Sequence, residues 1–291
     1  MVFLDSMVQR RHYFGMKTIY ARIFLPCLLV CLLAMSMAAC KTTGPAAGRE
    51  PGPGRAGGDY VILSQKRVVL LYPDTPDTSP RMDISLSVVD SRRPENRFIL
   101  DVLYDGQGTE EYADNRLHGY DTMYGEMRSV VEKYPDMSRE ALNWFYNETV
   151  AFCAGTEKVA VISRQQEYFT GGAHGMRNKD YYVFSLEDKR RLSIGDIIRD
   201  DARQALDDLV EESLRKYMEI PSWIPLSEGG FFEDSVDKLD DFFLGPQGLG
   251  FQWDPYEIAP YSIGIIEITL PYDSLQGLFT ERGIVLTKEF Q

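Results

Sequence analysis

The sequence predicts an α+β fold, with antiparallel or mixed sheets, packed helices and two closely joined subdomains. Three observations carry that expectation. Strand-like and helical runs are grouped rather than regularly alternating, which disfavours a doubly wound parallel sheet. Short turn signals between apolar runs mark hairpins. Of four cysteines only Cys153 lies beyond residue 40, so no internal disulfide is expected to stand in for an ordinary apolar core.

Residues 1–39 read as a lipoprotein signal peptide. Arg10, Arg11, Lys17 and Arg22 precede the apolar run IFLPCLLVCLLAM, which is short for a membrane span. The small-residue sequence SMAAC then ends on Cys40, the expected lipid attachment site, with Met37 where such boxes usually carry Leu. Translation starting at Met16 or Met7 already makes a complete signal start. Cleavage near Ala39 without lipidation is the alternative. Residues 40–58 form the anchor and a flexible linker, because KTTGPAAGREPGPGRAGG holds six Gly, three Pro and no large apolar side chain. Eighteen residues of such coil reach roughly 20–25 Å.

The N-terminal subdomain is placed at 59–185. YVILSQKRVVLLYP reads as one or two strands ended by Pro73. RMDISLSVVD alternates, with Met82, Ile84, Leu86 and Val88 on one face. Residues 94–133 carry apolar side chains at helical spacing, interrupted by GQG at 106–108. NWFYNETVAFC and KVAVISRQQEYFT flank the turn AGTE as a hairpin, and GGAHG at 171–175 turns the chain into KDYYVFSL. The C-terminal subdomain, 186–291, contains an amphipathic helix in DARQALDDLVEESLRKYM, with Ala205, Leu206, Val210, Leu214 and Tyr217 on its apolar stripe and Asp200 as its cap. SVDKLDDFF suggests a short helix, alone or running into a strand. FFLGPQGLGFQW suggests a hairpin, SIGIIEITLPY a strand and DSLQGLF a closing helical turn.

Charge narrows the function. The chain has 31 Lys+Arg and 44 Asp+Glu, and setting aside residues 1–40 removes four basic residues and one acidic residue, for a net charge of −16. Nucleic acid is disfavoured as a partner, and a cationic protein would be steered toward such a surface. The usual catalytic signatures are missing: no zinc-ligand spacing, no G-x-S-x-G elbow and no phosphate-cradling glycine loop. Neither a metal nor a cofactor is expected. Cys153 lies in an apolar strand and reads as an inert thiol.

Two stretches stand out. In GGAHG the glycines permit a sharp reversal that sets His174 on the rim of a sheet. There it can lock the turn through a backbone carbonyl, contact a ligand, or act as a general base. In GLGFQWDPYEIAPYSIGIIEITLPY, residues 248–272, prolines stiffen a loop that carries Tyr256, Pro260 and Tyr261. Those aromatic residues either contact a ligand or pin the crossing between two strands. The expectation is that both stretches fold side by side into one contact face.

Together with LSIGDII at 192–198, these stretches resemble a family of exported bacterial domains of unknown function. That family includes the extracellular domain of RsiV, the lysozyme-sensing anti-sigma factor, and the N-terminal region of some peptidoglycan deacetylases. The likeness covers most of residues 150–280. It implies an α+β binding module, held at a membrane through Cys40, whose ligand is a lysozyme-like protein or peptidoglycan and whose contacts include His174, Tyr256, Pro260 and Tyr261. With no transmembrane helix or sigma-binding segment recognised, anti-sigma signalling is not carried over, and neither is deacetylase activity. The alternative function is an envelope hydrolase acting on cell-wall sugars with His174 as general base. A structural subunit of an envelope complex is the third reading.

Overall fold

A computed structural model describes residues 59–291, except Arg139, Asp237 and the side chain of Glu140. The expected signal peptide, Cys40 and the linker lie outside the described residues. Among the described residues, nine strands and five α-helices form two sheets with helices packed on them.

The first sheet has six strands in sequence order: β1 (Tyr60–Leu70), β2 (Arg81–Ser91), β3 (Trp144–Gly155), β4 (Val159–Phe169), β5 (Met176–Ser185) and β6 (Arg190–Arg191). Every pairing is antiparallel except β2 with β3, which are parallel, so the sheet is mixed. A parallel pair needs a long crossover. It is supplied by α1 (Arg97–Leu103) and α2 (Thr109–Lys133), separated at the expected break. Met82, Ile84, Leu86 and Val88 are buried on one face, as their alternation predicts. Against them pack Leu103, Tyr112, Ala113 and Tyr124 of the two helices. Glu110 and Glu111 in the first turn of α2 and Lys133 in its last match the helix dipole.

The second sheet has three antiparallel strands: β7 (Phe242–Gly245), β8 (Gly248–Trp253) and β9 (Ile266–Leu270). Gly250 is required there, because a Cβ at that position would lie 2.0 Å from the Phe243 ring. Three further helices, α3 (Ile194–Ile197), α4 (Arg203–Tyr217) and α5 (Glu281–Thr287), complete the C-terminal part. One apolar core joins Leu206, Val210 and Leu214 of α4 and Phe251 and Trp253 of β8 to Val161 and Val183 of the first sheet. Each fully buried aliphatic side chain in it contributes about 1.5–3 kcal/mol of transfer free energy.

Four local expectations are corrected. Asp200 opens a 3-10 turn, Asp200–Ala202, and the residue preceding α4 is Ala202, which has no side-chain cap. Ala205 and Tyr217 are exposed, so the buried stripe of α4 is narrower than its sequence period suggested. The described residues of 235–241 form no helix. Val236 and Leu239 are drawn into the core, and the Asp241 carboxylate accepts a hydrogen bond from the Tyr181 backbone at 2.7 Å, which favours an extended path. Finally, Tyr272–Leu275 is a 3-10 turn, but the chain ends in α5, capped by Thr280, whose hydroxyl accepts from Gly283 N.

Candidate functional site

The GGAHG turn joins β4 to β5. Gly171 and Gly172 take φ of 87° and 104°, which glycine adopts without steric penalty. His174 stands exposed at the tip. Its Nδ1 lies 2.8 Å from the Gly175 carbonyl, which can only accept, so Nδ1 carries the hydrogen. The turn-locking bond expected of His174 is therefore present.

The same carbonyl also accepts from the Tyr261 hydroxyl at 2.8 Å. The Tyr261 ring stacks on the His174 ring, with centroids 3.9 Å apart and planes 21° apart. Tyr256 completes the row: its ring lies 5.7 Å from that of Tyr261, and its hydroxyl lies 3.3 Å from His174 Nε2, to which it donates in the neutral ring. Three side chains from two distant stretches thus make one aromatic cluster. Pro260 is exposed and immediately precedes the 3-10 turn Tyr261–Ile263, next to Tyr261 but outside the stack. Tyr256 is 46% exposed and adopts φ of 73°, a left-handed conformation that is a genuine outlier for a bulky residue.

Beside Tyr261 an open groove of about 550 Å³ runs between the ends of β3, β4 and β5 and the start of β9. Phe145, Phe169, Ile265 and the ion pair of Arg177 with Glu167, 2.9 Å apart, line it. Its volume falls within the range of small-ligand sites, about 300–1,000 Å³.

Below the cluster, two carboxylates fasten β5 to the second sheet. Asp254 Oδ1 accepts from Lys179 N and from Gln252 Nε2, both at 2.8 Å, and Asp241 Oδ1 accepts from Tyr181 N. Burial pushes Asp241 up to about 8 and Asp254 up to about 6, with Asp180 nearby adding to both. Lys179 and Tyr181 both reach Glu267 on β9, at 2.9 and 3.1 Å. Sequence reasoning missed this clasp. Its signal was an Asp immediately before β7 and another immediately after β8.

It also missed a buried polar network on the helix-covered face. Glu148 is 1% exposed and accepts from the Tyr112 and Tyr146 hydroxyls, each at 2.6 Å. Arg164 Nε lies 3.3 Å away and Arg116 Nε 3.7 Å. Burial, then the neighbouring carboxylate, pushes the Tyr112 hydroxyl up to about 12. The signal was strand parity, since Trp144, Tyr146, Glu148 and Val150 alternate inward.

His118 is exposed on α2 and takes no part in the cluster, and Cys153 is half-buried with its thiol 3.1 Å from Ser163 Oγ. Among the described residues, no group of three or more His, Cys, Asp or Glu is arranged to hold a metal, and no helix is long and apolar enough to cross a membrane.

Residues 195–273 match the model of DUF3298, a family described as proteins of unknown function. That span includes Tyr256, Pro260 and Tyr261 and excludes His174. No curated protein matches the chain. Two crystal structures are similar to it. A DUF3298 member from Bacteroides fragilis NCTC 9343 has a TM-score of 0.66 at 20% identity, over 80% of this chain and 97% of its own. A DUF3298 protein from Pseudomonas aeruginosa PAO1 has a TM-score of 0.48 at 16% identity, over 76% and 96% respectively. This chain therefore contains a DUF3298 domain match, set in an α+β fold shared with the solved Bacteroides member.

Proposed function

We propose that this protein is a binding module of the cell envelope, exported and anchored through Cys40, that captures a lysozyme-like protein with the rim formed by His174, Tyr256, Pro260 and Tyr261. The observation that carries this reading is the His174–Tyr261 stack, which joins two stiffened loops into one exposed aromatic face. Rigid aromatic rings supply contact area at low entropic cost. The strained backbone of Tyr256 fits a residue kept for contact rather than for stability. The acidic chain suits a cationic partner, and so does the resemblance to the lysozyme-sensing domain.

The hydrolase reading has less support. Both ring nitrogens of His174 are engaged, one by the Gly175 carbonyl and the other by the Tyr256 hydroxyl. A second binding reading, a cell-wall glycan, is favoured by the groove beside Tyr261.

Titration calorimetry of the full chain with lysozyme, at about 50 and about 150 mM salt, tests the proposal, since surface charge is screened more strongly at the higher value. Binding is expected at both, and the pair Tyr256→Ala with Tyr261→Ala should weaken it by about 30-fold or more. No heat of binding at either salt removes the lysozyme version.

A further inference from the structure

The six-stranded sheet has one face under α1 and α2 and another that is only partly covered. The apolar core of the C-terminal part reaches Val159, Val161, Tyr181 and Val183 on that second face. The rest of it carries two polar rows across the strands. Ser64, Ser87, Thr149, Gln165 and Lys179 sit opposite one another in register, and Lys66, Ser85, Asn147, Glu167 and Arg177 form the next row. Asn147, Thr149 and Ser64 are exposed. Phe145 and Phe169 form the third row and are the same side chains that line the groove beside Tyr261. The rows and the groove are therefore one continuous surface.

Its chemistry is unusual for this chain. The protein carries a net −13, yet the middle of this face, at Ser85, Ser87, Asn147 and Thr149, presents hydroxyl and amide groups. Charged side chains on β1, β4 and β5 flank them, and Ile62 and Val68 are exposed on the outer strand. Several of its charged side chains are held in ion pairs: Arg81 with Asp83 at 3.0 Å, Arg177 with Glu167 and Lys179 with Glu267 both at 2.9 Å, while Lys66 stands on the outer strand.

We infer that this open polar face and its aromatic groove bind an extended, uncharged polysaccharide strand, which rests on the glycan reading above and locates it. Sugar hydroxyls exchange donor and acceptor roles with the Ser, Thr, Asn and Gln side chains at the centre, and the flanking charges of Arg177, Glu167 and Lys179 are already met by ion-pair partners. The apolar face of a pyranose ring packs on an aromatic ring, and Phe145, Phe169 and Tyr261 supply three. Strands spaced about 4.8 Å apart give the row from β1 to β5 a length of roughly 20 Å, enough for several sugar rings. A folded protein partner would want an apolar centre, which the two polar rows lack. A polyanion would be repelled by the chain as a whole.

The probes are chitohexaose and cellohexaose, titrated into the full chain by calorimetry. Sub-millimolar binding of at least one is expected. The pair Asn147→Ala with Thr149→Ala, both on exposed strand positions, should weaken it by about tenfold without moving Tm, and Phe169→Ala should weaken it further. Tyr256→Ala, at a residue that does not line the groove, should leave glycan affinity unchanged while reducing lysozyme affinity, so the two proposals fail separately. Absence of binding by both oligosaccharides, or binding that survives the Asn147 and Thr149 substitutions, overturns the inference.

Discussion

The two faces of the six-stranded sheet are built from the same strands and finished differently. On the helix-covered face the buried carboxylate of Glu148 is met by two tyrosine hydroxyls and two guanidinium groups, and Arg164 also donates to the Leu103 carbonyl, bonding α1 to the sheet. On the opposite face the polar groups point into open space, and the seam with the C-terminal part is closed at its edge by the Asp241 and Asp254 clasp and the His174 stack. The contrast shows where this protein places its polar chemistry. A closed network specifies how helices dock, and an open one is available to something outside.

The sharpest way to break the comparison is at Glu148. Glu148→Ala leaves two half-buried arginines without their shared carboxylate and two hydroxyls without an acceptor. The expected loss is about 3–5 kcal/mol in a denaturant titration. A loss under about 1 kcal/mol would mean that the helix-covered face is not locked by this network.

A smaller effect is expected at the clasp, and it depends on pH. The folded chain holds the Asp241 proton up to about pH 8 and that of Asp254 up to about 6, whereas an unfolded Asp loses it near about 4. Between those values the folded state binds more protons, so stability falls as pH rises from about 4 through about 8. Asp241→Asn keeps the acceptor for Tyr181 N and removes the titration. It should leave stability nearly unchanged near pH 4 and raise it by roughly 1 kcal/mol at about pH 8.5. If thermal unfolding of the variant keeps the wild-type slope across that window, Asp241 is not the group responsible.

The smallest effect has the opposite sign to most substitutions. Tyr256→Gly relieves a left-handed backbone and should stabilise the fold by about 0.5–1 kcal/mol while lowering affinity for lysozyme. A destabilised variant would assign Tyr256 to holding the loop rather than to contact.

Much of the local structure was legible in the sequence. The alternation in RMDISLSVVD and SIGIIEITLPY set which side chains face inward, because a strand has a period of two whatever it pairs with. AGTE and GGAHG marked hairpins because adjacent strands joined by a short turn have few other ways to pair. The departures came where tertiary contacts outweighed local preference, as in SVDKLDDFF, whose Asp241 is engaged by β5 instead of supporting a helix.

By itself the sequence determined the secondary structure of most strands, the reversal at Gly171 and Gly172, the acidic balance and the candidate contact residues, since each depends on neighbours within a few positions. Only the tertiary structure decided the parallel register of β2 and β3, the enclosure of Glu148 and the meeting of His174 with Tyr256 and Tyr261 across more than eighty residues. Such contacts are set by how whole faces pack. No local pattern encodes that the Gly175 carbonyl, bonded by the adjacent His174, will also receive the hydroxyl of Tyr261, which lies 86 residues away.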